Sequence, residues 1–172
     1  INVSDGIVYD EFGFTDSVTD IDMFRMTAGN DVIYAGHNTE AAGMAGDDIF
    51  YGSTGRTTIR YDQEHWPNDN PQGVVVNFGP APIYIYGADE NGDADANHIS
   101  SYTAIDTFGD RDRFLAGEFN SYFRNIKGSR YGDDILIGGE TQNHIVGEGG
   151  HDYIDGGLGG GTTSYMFSSP QD

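Results

Sequence analysis

Oxygen-bearing side chains recur at a regular spacing near the end of this 172-residue chain. Asp134 and Asp152 are eighteen positions apart, and Asn143 stands midway between them. Gly132 and Gly150 precede the two acids by two positions each. Carboxylate and carbonyl oxygens are the hard ligands that Ca²⁺ selects, and glycine permits the sharp turns that bring carbonyls together. The residue types and their spacing therefore predict a calcium site.

These acids belong to a nine-residue pattern that spans residues 131–161. Large aliphatic residues share its phase at Leu136, Ile145 and Ile154. The pattern G-G-x-G-x-D-x-U-x, in which U is a large apolar residue, is typical of repeats that consist of one loop and one short strand. Two such units complete one turn of a flattened coil, so residues eighteen positions apart are expected to stack on the same edge.

Strand geometry predicts which side chains face the interior. Alternate side chains of a strand point to opposite faces, so Leu136 should point inward, and Ile135 and Ile137 should point outward. Tyrosine and phenylalanine are expected to close the ends of a narrow core. The predicted core residues are Ile33, Phe50, Leu136, Ile145 and Ile154.

The two edges of this coil differ in charge. Stacking places Asp134 and Asp152 on one edge, with backbone carbonyls of residues 132–133 and 150–151 nearby. Asn143 lies on the opposite edge and carries no charge. The better calcium site is therefore predicted between the loops of the two aspartates, and only a weak one at Asn143.

The same signature occurs earlier in the chain. Asp31 and Asp48 are seventeen positions apart, one short of a full turn, so a single-residue deletion is expected in the weaker unit at residues 37–42. These acids are predicted to form a second site. The candidate ligands, including backbone carbonyls of the glycines, are Asp31, Asp48, Asp134, Asp152, Asn30, Asp47, Asp133, Gly29, Gly46, Gly132, Gly150 and Asn143.

A longer period of roughly one hundred residues relates the two regions. Asp134 follows Asp31 by 103 positions, and Asp152 follows Asp48 by 104. We interpret the chain as a piece of a tandem array, whereas the alternative is one compact domain with two separate coil segments. The predicted divisions are residues 1–56 with nonapeptides near 27–52, an intervening region at 57–126, and residues 127–172 with nonapeptides near 130–161.

The intervening region is predicted to be rich in β structure. Residues 57–61, 74–78 and 83–86 alternate as strands do, and no long helical period occurs. We expect these strands either to widen the coil or to form a small sheet beside it.

The charge balance excludes a general affinity for nucleic acid. The chain has 28 acidic residues, 8 lysines and arginines, and a net charge of −20, whereas nucleic-acid binding depends on basic side chains. This charge makes a compact metal-free state self-repelling. The absence of cysteine excludes disulfides and thiolate metal sites, so bound calcium is the expected stabilising cross-link. No run of residues is apolar enough to span a membrane.

The chain resembles the RTX, or haemolysin-type, calcium-binding repeat proteins. It is similar in particular to the long repeats of large bacterial RTX proteins. Apart from the nonapeptides, the resemblance rests on residues 15–22 (T-D-S-V-T-D-I-D), on 28–33 (A-G-N-D-V-I) and on 73–78 (G-V-V-V-N-F). It covers most of the chain and implies a right-handed parallel β-roll with an inserted β-rich region, calcium-dependent folding, and export by a type I pathway.

The chain also departs from the pattern of that family. Thr141 and Glu148 stand where glycines are expected, and Asn143 stands where aspartate is expected. Residues 79–105 resemble no segment of the family. These departures make the opposite edge the less certain place for a cation.

Residues 89–95 and the histidines also resemble metal ligands, but each has a simpler interpretation. Residues 89–95 alternate Asp89, Asn91, Asp93 and Asp95, as a calcium loop begins, but the glutamate that would close an EF-hand is Ser100. A solvated acidic loop is the favoured interpretation. The histidines have no cysteine partner and no H-E-x-x-H motif, so they are expected to be surface residues rather than zinc ligands.

Neighbouring acids and the single tryptophan could indicate catalysis or glycan binding, but each has a simpler interpretation. Neighbouring acids such as Asp47 and Asp48 could form a carboxylate pair for glycoside hydrolysis, but they lie in phase with the repeat and no nucleophile motif occurs. Trp66, the single tryptophan, could stack on a sugar but more often such a residue anchors its own loop. We therefore expect no enzyme active site.

Two classes of function remain open. The leading prediction is a calcium-folded structural module, of spacer or adhesin type, in a secreted or cell-surface bacterial protein. It is expected to be a monomeric module whose glycan or cell-surface partners are those of the parent protein. The alternatives are an accessory module of an exported polysaccharide-active or lipolytic enzyme, and a module that itself binds glycans.

Overall fold

The computed structural model describes residues 7–9, 14–17, 20–52, 56–64, 72–85, 98–115, 123–158 and 164–167. These residues form strands and turns and contain no helix, which confirms the all-β prediction. In chain order the strands are β1 (Ile7–Tyr9), β2 (Thr15–Ser17), β3 (Met23–Arg25), β4 (Val32–Tyr34), β5 (Glu40–Ala42), β6 (Ile49–Tyr51), β7 (Thr58–Arg60), β8 (Val75–Asn77), β9 (Ile83–Tyr84), β10 (His98–Ile99), β11 (Thr103–Ile105), β12 (Arg111–Leu115), β13 (Asn125–Lys127), β14 (Ile135–Ile137), β15 (His144–Glu148), β16 (Tyr153–Asp155) and β17 (Ser164–Phe167).

Two large sheets contain most of these strands. Sheet I has seven strands in the order β16-β14-β8-β11-β12-β6-β4, and sheet II has six in the order β17-β15-β13-β7-β5-β3. Neighbouring strands are parallel except where β11 pairs with β8 and β12. The strands β1 and β2 form a separate antiparallel pair, and so do β9 and β10.

The chain passes back and forth between the two sheets. Strands β3 to β7 alternate between sheet II and sheet I, and so do β13 to β17. Ile135 of β14 pairs with Tyr153 of β16, eighteen positions later, which confirms that two nonapeptides complete one turn. This arrangement is consistent with a β-roll.

The first turns are one residue short, as the sequence predicted. Val32 pairs with Ile49, and Met23 pairs with Glu40, each seventeen positions apart. Glu40 follows Val32 by eight positions, whereas Ile49 follows Glu40 by nine. The missing residue therefore lies between β4 and β5, where the chain turns at residues 37–38.

The intervening region both adds strands to sheet I and forms a small sheet of its own. Strands β8, β11 and β12 lie in sheet I between β6 and β14, whereas β7 and β13 are direct neighbours in sheet II. Strands β9 and β10 form the small antiparallel pair. Strands of both predicted coil segments thus belong to the same two sheets, and the division of the chain into tandem copies stays a prediction.

A single apolar core lies between the sheets. Ile33, Phe50, Leu136 and Ile145 are buried as predicted, and Ile154 is half-buried against them. Burial of side chains of this size contributes about 1.5–3 kcal/mol each to folding. The shared core explains why strands of only three residues are stable: each places its central side chain against the opposite sheet.

The aromatic part of the core differs from the prediction. Phe24, on the end strand β3, is buried, but the main aromatic group lies in the middle of the molecule. There the rings of Phe78, Phe114 and Phe123 pack at centroid distances of 4.8–5.6 Å, and Phe114 also stacks on Phe50. Sheet I is wider than sheet II at this level, and large rings fill the additional space.

Ile137, which was predicted to point outward, is buried rather than exposed. Its side chain is only 9% exposed, because the segment after β8 covers this part of sheet I. Phe78 N donates to Ile137 O at 3.0 Å, and the Ile137 Cγ2 atom faces Gly79. A chain segment that folds over the outer face of a strand can thus bury a side chain that simple alternation would leave exposed.

Candidate metal centre

Stacked carboxylates lie along one side of sheet I, where the loops lead into the first residues of its parallel strands. We call this the acidic edge and define it as Asp31, Asp48, Asp112, Asp134 and Asp152. In one stretch Asp48 Oδ1 accepts from Asp31 N at 2.8 Å, and Asp112 Oδ1 accepts from Asp48 N at 3.1 Å. In the other stretch Asp152 Oδ1 accepts from Asp134 N at 3.1 Å. The antiparallel strand β11 separates the two stretches.

The edge brings together the acid pairs that the sequence predicted. Asp134 stacks on Asp152, and Asp31 stacks on Asp48, through carboxylate-to-amide hydrogen bonds. Asp134 Oδ1 also accepts from Val74 N at 2.8 Å, which joins the end of the edge to the strand β8. The role of these acids as calcium ligands stays a prediction.

The acids one position earlier form an outer row. Asp47 Oδ1 accepts from Arg111 N at 2.8 Å, and Asp133 Oδ1 accepts from His151 N at 2.7 Å. Asn30 takes the same place in the first turn, where its Oδ1 accepts from Asp47 N at 3.0 Å. These three side chains are exposed, so they hold neighbouring loops in register rather than forming a buried site.

Glycine makes room for the inner carboxylates. A Cβ atom at Gly43 would overlap Asp48 Oδ2, and one at Gly147 would overlap Asp152 Oδ2. A Cβ at Gly128 would likewise overlap Asp134 Oδ2. Each carboxylate therefore lies directly against a backbone that has no side chain.

Backbone carbonyls face the same loops. Gly150 has a φ of +122°, a conformation that favours glycine, and a Cβ there would overlap Gly132 O. The carbonyl oxygen of Arg130 faces Gly149 in the same way. Gly46, with φ +112°, packs on Gly29 in the first turns. The glycines that the sequence singled out thus stack on one another and bring main-chain oxygens beside the carboxylates.

The inner carboxylates are buried in a site that disfavours their charge. Burial raises the pKa of Asp48 and of Asp134 to about 7 each, although hydrogen bonds from backbone amides act in the opposite direction. Burial and the neighbouring Asp48 raise the pKa of Asp112 to about 8. The pKa of the half-buried Asp152 is raised as well, again chiefly by burial. A positive charge is what this edge lacks.

The donor set fits a hard cation. Asp48 Oδ2 is fully buried and accepts no hydrogen bond, so a carboxylate oxygen is available where the loops converge. Within the described ranges no three Asp, Glu, His or Cys side chains converge closely enough to hold a metal by themselves. A cation on the acidic edge would therefore take further oxygens from backbone carbonyls, which Ca²⁺ accepts readily.

Comparison with protein families agrees with this geometry. The model of the RTX calcium-binding nonapeptide repeat matches residues 27–38, 41–59 and 130–162, in four copies. The chain is an RTX-type repeat protein. The matched residues contain every candidate ligand that the sequence predicted. Comparison with the curated proteins and with the solved structures found no match.

The RTX repeats leave one member of the acidic edge outside the matched residues. Asp112 belongs to neither repeat region, and sequence analysis missed it. A weak signal exists, because residues 109–114 read G-D-R-D-R-F and keep the acid two positions before a large apolar residue, Phe114. The antiparallel turn before β12 brings this segment onto β6 from 64 positions away, since Arg113 pairs with Ile49.

The opposite edge of the repeat region has a different chemistry. We call the environment of Asn143 the asparagine edge. The Asn143 side chain is buried, and its Nδ2 donates to Thr141 O at 2.6 Å, to Gly156 O at 3.1 Å and to Gly139 O at 3.4 Å. Its Oδ1 accepts from Gly139 N at 3.2 Å. An amide group thus satisfies carbonyls that converge around it, and Asn143 stays a weak candidate ligand.

Two residues occupy glycine positions of the RTX pattern with strained backbone. Met44 has a φ of 72° and Glu148 a φ of 65°, both in the left-handed region. Such a conformation costs a residue with a Cβ on the order of 1–2 kcal/mol. The loop shape is therefore kept where glycine has been lost.

The histidines, Trp66 and the acidic loop were the other candidate ligands in the sequence. The side chain of His151 is 99% exposed, and its contact with Asp133 at 3.6 Å is a surface pair of little energetic value. His144 is half-buried on β15. Trp66 and residues 89–95 lie outside the described residues. No helix within the described ranges is long and apolar enough to cross a membrane.

Proposed function

We propose that this RTX chain is a non-catalytic, calcium-folded structural module of a secreted or cell-surface bacterial protein. The observation that carries the proposal is the acidic edge, where buried carboxylates stack against backbone amides and carbonyls. Among the described residues, the ion pairs of Arg60 and His151 are with Glu40, Asp62 and Asp133, so neither residue is a basic partner for these buried acids. A divalent cation is the chemistry that this environment calls for.

Calcium would act by neutralising the edge. The net charge of −20 opposes a compact metal-free chain, and each buried carboxylate adds a desolvation cost. Extracellular calcium modules bind with dissociation constants of roughly 10⁻⁴–10⁻³ M. A site filled at about 100 times its dissociation constant stabilises the folded state by about 2.7 kcal/mol. Two such sites contribute about 5 kcal/mol, which equals the whole stability of a marginal domain.

This energetic balance suggests how the module serves its parent protein. In the low calcium of the cytoplasm the chain stays unfolded and suited to type I export. In the calcium-rich medium it folds into a right-handed β-roll that acts as a spacer or adhesin-type segment. The period near 104 positions between Asp48 and Asp152 supports a repeated, monomeric unit rather than an enzyme domain.

Circular dichroism and thermal melting in EGTA and in millimolar calcium test the proposal. We expect a folded β spectrum and a cooperative transition at high temperature with calcium, and a cooperative transition at a much lower temperature in EGTA. Magnesium at the same concentration is the matched control, because it prefers six ligands in strict octahedral geometry and retains its waters. Identical spectra and melting temperatures in EGTA and calcium would refute calcium-dependent folding.

A further inference from the structure

A second group of acids lies beside the acidic edge but outside the RTX repeats. Glu64 follows β7, and Asp106 follows β11. Their side chains are 4% and 1% exposed, and neither residue lies in the segments that match the nonapeptide family. They belong to the intervening region, whose function the repeat pattern does not explain.

One carboxylate oxygen of each acid is fully engaged. Glu64 Oε2 accepts from Thr107 N at 3.1 Å and from Thr107 Oγ1 at 2.5 Å. Asp106 Oδ1 accepts from Phe108 N at 2.9 Å and from Asp110 N at 2.8 Å, which closes the turn before β12. Because Thr107 follows Asp106 directly, these bonds place the Glu64 carboxylate beside the turn that Asp106 closes.

The other oxygen of each acid has no partner. Glu64 Oε1 and Asp106 Oδ2 are buried and accept no hydrogen bond. Asp48 Oδ2, on the acidic edge, is the third buried carboxylate oxygen in this condition among the described residues. Asp106 repels both Glu64 and Asp48, so the three carboxylates share one region of negative potential.

Among the described residues, the surroundings supply acid and hydroxyl groups but no base. Asp112, a member of the acidic edge, accepts from Tyr61 Oη at 2.9 Å and from Asp48 N. Arg111 and Arg113 flank Asp112 in sequence but are exposed. An unpaired buried carboxylate oxygen costs several kcal/mol, so two of them in one region of negative potential require a cation or protons.

We infer that Glu64 Oε1 and Asp106 Oδ2 form a cation site of their own, which takes Ca²⁺ and joins the segment after β7 to the turn before β12. The identity of the cation rests on the proposed function, whereas the site itself rests on the two orphaned oxygens. Two side-chain carboxylates do not complete a calcium shell, so backbone carbonyls and water supply the remaining oxygens. The site anchors the antiparallel turn before β12 against β7 and β6.

Counting bound calcium tests the inference. Equilibrium dialysis in saturating calcium, followed by atomic emission, gives the number of ions held by the intact chain. Glu64→Gln and Asp106→Asn keep the engaged acceptor oxygens of the two side chains but remove their charge. Each variant is expected to bind one ion fewer than the wild type. Glu140→Gln is the matched control, because Glu140 is exposed and the charge change is the same.

The possible results separate this inference from the proposed function. If both variants retain the wild-type number of ions, the additional site is refuted and calcium folding stands. If the wild type binds no calcium, both ideas fail together. In EGTA, Glu64→Gln should unfold no more easily than the wild type, because it removes a buried charge. Variants that cannot fold even with calcium would show that the fold itself needs the carboxylates, which also overturns the inference.

Discussion

The acidic edge and the asparagine edge have similar loops, but their side chains make different hydrogen bonds to the backbone. On the asparagine edge, the Asn143 amide donates to the carbonyls of Thr141, Gly156 and Gly139, so the loop is complete without any ligand. On the acidic edge, carboxylates such as Asp134 and Asp48 only accept, and their charge is buried. One edge is therefore self-sufficient, whereas the proposed function makes the other depend on an added cation.

Removal of one inner carboxylate should break this contrast most strongly. Asp134→Ala leaves Val74 N, Ser129 N and Ser129 Oγ without their acceptor, and each loss costs about 1–3 kcal/mol. We expect a loss of about 5 kcal/mol in calcium, together with a smaller stabilisation by calcium. Urea unfolding with and without calcium measures both quantities.

The matched change on the other edge is Asn143→Ala. It should also lower stability, by about 1–3 kcal/mol, because converging carbonyls lose their donor. The loss should be the same with and without calcium. An equal reduction of the calcium effect by both substitutions would show that the edges do not differ.

The dependence of stability on pH should also distinguish the edges. The folded-state pKa values of Asp48 and Asp134, about 7, and of Asp112, about 8, lie above the ordinary value of 3.8. Without metal, the free energy of unfolding is therefore highest below pH 3.8, where these carboxyl groups are protonated in both states. It falls as pH rises through 7 to 8, because the folded state must then bury their charge. Each pKa unit corresponds to 1.36 kcal/mol, so Asp48 or Asp134 accounts for up to about 4 kcal/mol and Asp112 for up to about 6 kcal/mol.

Unfolding free energies in EGTA between pH 4 and 9 measure this effect. Asp134→Asn should flatten the curve, because an amide does not titrate. Saturating calcium should reverse the trend, because calcium binds the deprotonated carboxylates. Metal-free stability that increases from pH 4 to pH 8 would contradict the account of the acidic edge.

Asn143→Asp should convert the asparagine edge into a second acidic edge. The substitution exchanges a donor for a carboxylate among the carbonyl oxygens of Gly139, Thr141 and Gly156, which costs about 3 kcal/mol without metal. Calcium should recover most of this loss and bind with one additional ion per chain. Melting temperatures across a calcium titration provide the measurement, and a loss that calcium cannot recover would count against the comparison.

Much of this contrast could be predicted from sequence, because the nine-residue repeat is visible in short stretches of the chain. It placed Asp134 on Asp152 and Asp31 on Asp48, and it located the missing residue of the first turns. The phase could not predict Asp112 and Asp106, because an antiparallel excursion places them at or beside the edge, and it could not predict Glu64, which follows β7 outside the nonapeptides. The pairing of β12 with β6 joins residues 64 positions apart, and no short pattern records such a contact.

The smallest expected effect concerns the room beside the carboxylates. A Cβ at Gly147 would overlap the Asp152 carboxylate, so Gly147→Ala should displace it and weaken calcium binding. Gly138→Ala introduces the same methyl group beside Asn143 Nδ2 and Gly156 O. Both substitutions should cost about 1–3 kcal/mol through overpacking. Only Gly147→Ala should reduce calcium affinity by calorimetry, and an equal reduction in both variants would contradict this assignment.

Calorimetric titration of calcium into the wild type and into an Asp134→Asn, Asp152→Asn double variant tests the central claim most directly. The substitutions preserve side-chain size and an acceptor oxygen while they remove charge from one stretch of the acidic edge. We expect the double variant to bind fewer calcium ions but to retain those at the Asp31 and Asp48 stretch. The same number of ions, bound with the same affinity, would contradict the claim that the acidic edge holds calcium.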